Sequence, residues 1–490
     1  MSNKKSHKRF HSNHTPLDKH IKQGSQLIPP LATLPNKHLS SWFNEVLPEM
    51  LWAILIICAF NRDDALSIFR SAVDAISNKE VVLNGGRITH SALAQDQDRA
   101  LCPFIRLLTA NARIAAALSP LKLFPQLPGF EAWRVALPIP AEEAKAWEQL
   151  RLSAERCLDY HSQESTDCCW IQVIAALISK ILVIRDKDFE SGIINYPYKG
   201  DMRVIRPQLR CTEMALRNSI SSSAWPEVFW KECFNKTECG PFYTYTPEAT
   251  GLEVGLTMDQ LSNLSCQVHS AYTSSLVDAG IDIRRDAVYG LAFFAVSILK
   301  ELIRPGASSS IIGRGALRTL VEIAITLAYL INENDPEKWR QYRNYGVGKA
   351  KLSFLKQNDK DTPSFVAQDA LNILANDDCW QEYTPIELGH WDKKDLRKMA
   401  ESSGTKDLYD NYYDWTSHYG HGHWGAVRES VFYVCANPLH RLHRVLASQP
   451  PMLGDVLPDA AKVMERIIIV VHACYPEIRI DSLFPSCISP

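Results

Sequence analysis

From Leu39 to Tyr475 the apolar residues of this chain recur mostly at intervals of three and four, in runs separated by short polar breaks. That period lines one face of an α-helix, whereas a half-buried strand would alternate. It predicts an all-α fold in two helical lobes. The stretch SSWFNEVLPEMLWAILIICAF (40–60) carries it, with Pro48 where a helix start tolerates proline. Residues Asn61 to Ile76 repeat it through Ala65, Ile68, Phe69, Ala72, Val73 and Ile76. Further helices are read in 99–120, 141–162 and 167–185, the last with a β-branched end that also fits a strand.

Residues 185–254 are less regular and rich in Gly, Pro and aromatics, which places a domain boundary in 235–254. Beyond Leu256 helices are predicted over 257–279, 283–304, 310–333, 335–357, 364–377, 392–402, 405–420, 424–436 and 456–475. Connections as short as AGID and NENDP favour antiparallel neighbours in an up-down bundle. The expected organisation is a basic tail (1–36), an N-terminal helical domain (37–245) with an irregular segment near 185–245, and a C-terminal bundle (255–477).

The tail holds Lys4, Lys5, Lys8, Arg9, Lys19 and Lys22 against Asp18, with few apolar residues. It is too polar to bury a core, so disorder is expected. It reads as a solvated terminus or as a basic arm touching nucleic acid or another subunit. The whole chain has a formal charge of -2, so no global field draws it to nucleic acid or membrane. Its longest apolar run, Met50 to Phe60, is about half of what spans a bilayer, which makes it a buried helix. The first apolar run comes too late for a secretory leader. The 13 cysteines are scattered, with no C-x-x-C, and many sit in apolar helical contexts. That fits thiols used as small hydrophobes in a reducing cytoplasm, and the usual local spacing of a structural zinc site is missing.

Two stretches carry residues suited to chemistry. In GRGALRTLVEIAITLAYLI (313–331) apolar side chains cover most of the helix circumference, and Arg314, Arg318 and Glu322 interrupt them at steps of four. Charges on such a helix need partners, because a stranded buried charge costs several kcal/mol. The pair Arg318–Glu322 either fixes the register of the bundle or faces a polar cleft between helices.

The second stretch is TSHYGHGHWGAVRES (416–430), with His418, His421 and His423 among three glycines. Three readings compete. As a metal site, H-x-x-H-x-H offers three imidazoles, with Asp410, Asp414 or Glu429 to complete the shell; H-x-H, however, aims both rings one way only on a strand, and these flanks are helical. As an acid–base site, one histidine works beside Arg318 and Glu322: the arginine stabilises an anionic phosphorane while the histidine shuttles a proton. As a structural element, the glycines let helices approach while His and Tyr satisfy buried polar groups.

The R-x4–6-H spacing of HEPN ribonucleases occurs at Arg156–His161 and Arg9–His14, but so short a pattern arises by chance in a chain of this size.

Residues 283–436 resemble a widespread family of uncharacterised bacterial helical proteins. The likeness lies in the helix with GRGALRTLVEIAITLAYLI, the following YRNYG and the late, tyrosine-rich LYDNYYDWTSHYGHG. The family pattern of R-x-x-x-E followed much later by S-x-x-x-H falls on Arg318, Glu322, Ser417 and His421. The resemblance implies a polar cluster built from helices far apart in sequence. It is also loosely similar to HEPN-type domains of toxins and phage-defence effectors, although here arginine and histidine come from different helices.

The resulting expectation is a cytoplasmic bacterial helical effector of defence or stress, acting on RNA or nucleotides without a metal or other cofactor. Its site would comprise His421 as proton shuttle, Arg318 on phosphate, Glu322 orienting Arg318, and His418 and Tyr419 in support. The alternatives are a non-enzymatic scaffold or sensor whose cluster is structural, and a metal-dependent hydrolase using His418, His421 and His423. Expected partners are RNA or a nucleotide, another protein through the N-terminal lobe, or a second copy of the chain; no membrane is expected.

Overall fold

The computed structural model describes residues 19–33, 40–95, 102–217, 223–243, 255–277, 280–356, 365–376, 383, 385–477 and 480–483. Helices dominate them, and the fold is all-α with a few short strands. Two compact units are present: residues 1–242 with 434–443, and residues 243–433 with 444–490. Most of the basic tail lies outside the described residues. Its described part carries an antiparallel hairpin. Ile21–Gln23 pairs with Gln26–Ile28, turning at Gly24 with φ 59°.

In the first unit the Leu51–Ala59 helix is buried nearly all round. It bears no charged side chain, so no face of it favours water and it becomes the centre of the core. Three indole N–H groups that this core engulfs find carbonyls: Trp42 Nε1 donates to Cys157 O at 2.8 Å, Trp52 Nε1 to Ile88 O at 2.8 Å and Trp225 Nε1 to Pro48 O at 2.9 Å. Cys157, Cys168, Cys169 and Cys233 are buried free thiols packed as small apolar groups. Two buried carboxylates are paired with arginines. Arg62 grips Asp167 through Nε at 2.9 Å and Nη2 at 3.0 Å, and Arg217 pairs with Glu213 four residues before it. The β-branched stretch after Ile178 forms no strand.

No single helix among the described residues is long and apolar enough to cross a membrane. Trp42–Glu49 and Leu51–Ala59 reach that length only together, across an 82° bend, and both are core elements.

The second unit is built around the Ile311–Glu333 helix. Ser310 caps its start, its hydroxyl accepting from Gly313 N at 3.2 Å, and Asn334 ends it in the left-handed region at φ 47°. Against it pack the helices Ile283–Leu302, Leu396–Ser402, Asp414–Gly420 and Leu457–Cys474. The last of these brings Val463, Met464, Ile467, Ile468 and Val471 to the shared core.

Two features depart from the helix spans predicted for this region. Tyr409–Tyr413 winds as a wider π-type turn, which stacks the rings of Tyr409 and Tyr413 at 4.9 Å. The helix predicted over 424–436 stops at Val431, and Phe432–Cys435 is a strand. Phe-Tyr-Val suits an extended backbone, and those apolar residues had read as a continuation of the helical period. The segment from Val434 to His443 also belongs to the first unit rather than to the C-terminal bundle.

Candidate functional site

Arg314, Arg318 and Glu322 lie on successive turns of the Ile311–Glu333 helix, yet they do different things. Arg314 is buried; its Nη1 donates to the carbonyls of Ser308 and Gly454, and its guanidinium lies 5.9 Å from the Tyr419 ring. Those bonds tie the helix start to a distant loop, which is a structural task.

Arg318 is more open. Its Nη2 meets Glu322 Oε1 at 3.1 Å and donates to the Tyr413 hydroxyl at 3.1 Å, and its guanidinium lies over the Tyr413 ring at 5.2 Å. The Arg318 and Glu322 side chains keep 27% and 36% of their surface in contact with solvent, so a ligand can reach both. Burial works against the Arg318 charge, but hydrogen bonding to Tyr413 and the field of Glu322 outweigh it and hold the pKa above the ordinary arginine value.

The Asp414–Gly420 helix ends against this guanidinium. A Cβ added to Gly420 would stand 3.2 Å from Arg318 Nη1, tighter than most real contacts, so glycine leaves room for the approach. A cation at a helix C-terminus is also favourably placed in the helix dipole.

His421 follows at the helix end, exposed, and its ring lies 5.6 Å from that of His423. It makes no hydrogen bond to Arg318 among the described residues. His418, half-buried, lies between Trp415 at 5.2 Å and His423 at 5.0 Å, and its carbonyl accepts from His423 N at 3.0 Å. Gly422, at φ 61°, makes the reversal that brings His423 back. These three histidines do not form a group with mutually converging ligand atoms; among the described residues that arrangement occurs only at Cys239, Cys435, His440 and His443.

Tyr419 is buried, and its hydroxyl donates to Glu429. Burial and the Glu429 carboxylate push its pKa up to about 12. With its proton committed to Glu429, Tyr419 is a packing and positioning group.

The structure thus joins Arg318 and Glu322 directly and brings the end of the Asp414–Gly420 helix, just before His421, against Arg318. The π-type turn sends Tyr413 to Arg318, while Tyr412 donates to Asp459 Oδ1 at 3.1 Å on the Leu457–Cys474 helix. Glu429, the acceptor for Tyr419, had been weighed only as a metal ligand. Of the two HEPN-type spacings, Arg156 is engaged by Glu164 at 2.9 Å and by the Cys58 carbonyl at 3.2 Å, and the Arg9–His14 pair lies outside the described residues.

Residues 312–433 match a family of unknown function, DUF5677. The matched segment contains Arg318, Glu322, Ser417 and His421, and it covers well under half of the chain. No curated protein and no solved structure matches the chain.

Proposed function

We propose that the Arg318 site binds the phosphodiester of an RNA or nucleotide and cleaves it without a metal. One observation supports this above the others: a part-exposed guanidinium, held by Glu322 and Tyr413, faces the glycine-flanked turn that carries His418, His421 and His423. A fixed cation beside imidazoles is the minimum for transesterification at phosphorus.

In this reading the 2′-hydroxyl attacks the adjacent phosphorus. The bond from the 2′-oxygen to phosphorus forms as the bond to the 5′-oxygen breaks, leaving a cyclic phosphate. His421 accepts the 2′ proton and returns one to the leaving 5′-oxygen. Arg318 neutralises the non-bridging oxygens as their charge grows, and Glu322 and Tyr413 keep its fork aimed.

A scaffold reading is favoured by one feature of the same geometry. Arg318 Nη2 already bonds two protein groups, as it would in a pair that only fixes helix register. The two readings part in one experiment: wild type, His421→Ala and Arg318→Lys are incubated with total RNA in chelator, and their melting temperatures are measured. The catalytic reading expects wild type to yield fragments ending in cyclic phosphate. His421→Ala would lose at least about a hundredfold, as general acid–base removal does, at an unchanged melting temperature. Intact RNA with wild type, together with a lower melting temperature for Arg318→Lys, would leave the scaffold reading standing.

A further inference from the structure

The first unit holds a cluster that the Arg318 site does not use. Cys239, Cys435, His440 and His443 place one ligand atom each so that all lie within 4.8 Å of one another. We propose that these four residues bind a structural zinc ion through Cys239 Sγ, Cys435 Sγ, His440 Nδ1 and His443 Nε2. This inference stands apart from the function proposed for Arg318.

The distances fit a tetrahedron. With metal–sulfur bonds of about 2.3 Å and metal–nitrogen bonds of about 2.0–2.1 Å, a sulfur–nitrogen edge is about 3.5 Å. Cys239 Sγ lies 3.4 Å from His443 Nε2, and Cys435 Sγ lies 3.6 Å from His440 Nδ1. Two thiolates with two imidazoles form a donor set that suits zinc above the hard cations.

The surroundings hold the ligands in register. His440 Nε2 is 3.1 Å from the Thr237 carbonyl and 3.0 Å from the Thr237 hydroxyl. Donation of Nε2–H to that carbonyl fixes the tautomer, so the lone pair of Nδ1 faces Cys435, as an outer-shell partner does for a metal-bound histidine. Asn437 binds the same loop, its Nδ2 donating to Glu238 O at 2.7 Å. The backbone supports the geometry from both sides: Ala436 N donates to Pro241 O at 2.9 Å, and Cys435 N donates to His443 O at 3.0 Å. Gly240 is required between them, because a Cβ there would meet Asn437 N at 2.9 Å.

The consequence is a cross-link between the point where the chain leaves the first unit and the segment by which it returns. Cys239 and His443 are 204 residues apart. A metal joining them closes a long loop of the unfolded chain, and zinc binding then adds to folding free energy.

The test uses the full chain. Reduced, metal-free protein is titrated with cobalt(II), which reports thiolate ligation through charge-transfer bands and tetrahedral geometry through its ligand-field bands. The expected result is saturation at one cobalt per chain with both signatures, displacement by one zinc, and a higher melting temperature with metal. Cys239 is exposed, so Cys239→Ser is expected to fold, as circular dichroism will show, and to lose about half of the charge-transfer intensity. A second variant, Cys435→Ser, removes the buried thiolate. Cobalt spectra without thiolate bands in the folded wild type overturn the proposal. So does an unchanged cobalt spectrum in a folded Cys239→Ser protein.

Discussion

At the residue scale, His90 shows how burial sets a pH response. It is fully buried against the edge of Trp133, at 5.5 Å between rings, and neither ring nitrogen has a hydrogen-bond partner among the described residues. Loss of water alone pushes its pKa down to about 3 from the ordinary value of 6.5. The folded state therefore binds fewer protons than the unfolded state between those values. The contribution of neutral His90 is complete above pH 6.5 and is lost as pH falls toward 3. Going from pH 7 to about pH 5 should cost roughly 2 kcal/mol through this residue. Denaturant unfolding at both pH values should show that His90→Leu, close in volume, removes about that much of the wild-type difference. Equal pH slopes in the two proteins would refute it. Nothing in the sequence marked His90 as special, since a histidine becomes a buried base only through neighbours supplied by other helices. Arg318 and Glu322 were legible, because a charged pair four apart on an apolar helix stands out by spacing alone.

The elements of the second unit show where spacing suffices and where it does not. The Ile311–Glu333 helix was readable almost to the residue because its apolar period is dense and its ends carry a serine cap and an asparagine stop. The Tyr409–Tyr413 turn and the Phe432–Cys435 strand were not, because an extra residue per turn or a short aromatic strand barely disturbs the apolar count. Two glycines at the start of the Ile311–Glu333 helix separate packing from propensity. A Cβ on Gly313 would meet the carbonyl oxygens of Ala307 and Ser308 at 2.6 and 2.8 Å, whereas one on Gly315 would meet nothing within 4 Å. Gly313→Ala must displace backbone and should cost about 1–3 kcal/mol. Gly315→Ala should stabilise by about 0.5–1 kcal/mol, the helix-interior preference for alanine. Thermal and denaturant unfolding of the two single variants will give opposite signs if these contacts hold; a shared sign would mean that the helix start repacks freely.

At the scale of the whole chain, the defining fact is that ten residues, 434–443, leave one unit in sequence and belong to the other in space. A local reading of periodicity assigns such a segment to its sequence neighbours. The same distance hid Cys239 from any search for closely spaced metal ligands, although Cys435, His440 and His443 stand close together in sequence. The segment is part of the first core. Leu439 is fully buried there, and its short 3-10 turn packs against the helices Glu143–Cys157 and Trp225–Lys236. Leu439→Ala should therefore cost about 2–5 kcal/mol, the range for a buried leucine truncated to a methyl group. Its effect should be felt in helices more than 200 residues earlier in the chain. Hydrogen exchange followed by mass spectrometry will locate it. Leu439→Ala is expected to speed exchange in peptides from 143–157 and 225–236 and to leave the 311–333 helix near its wild-type rate. Faster exchange confined to 311–333 and 457–474 would instead assign the segment, energetically, to its neighbours in sequence. Zinc adds a second handle on the same link. Metal should slow exchange in 225–236 in the wild type, and Cys239→Ser should abolish that protection while leaving Leu439 buried and its share of the core intact.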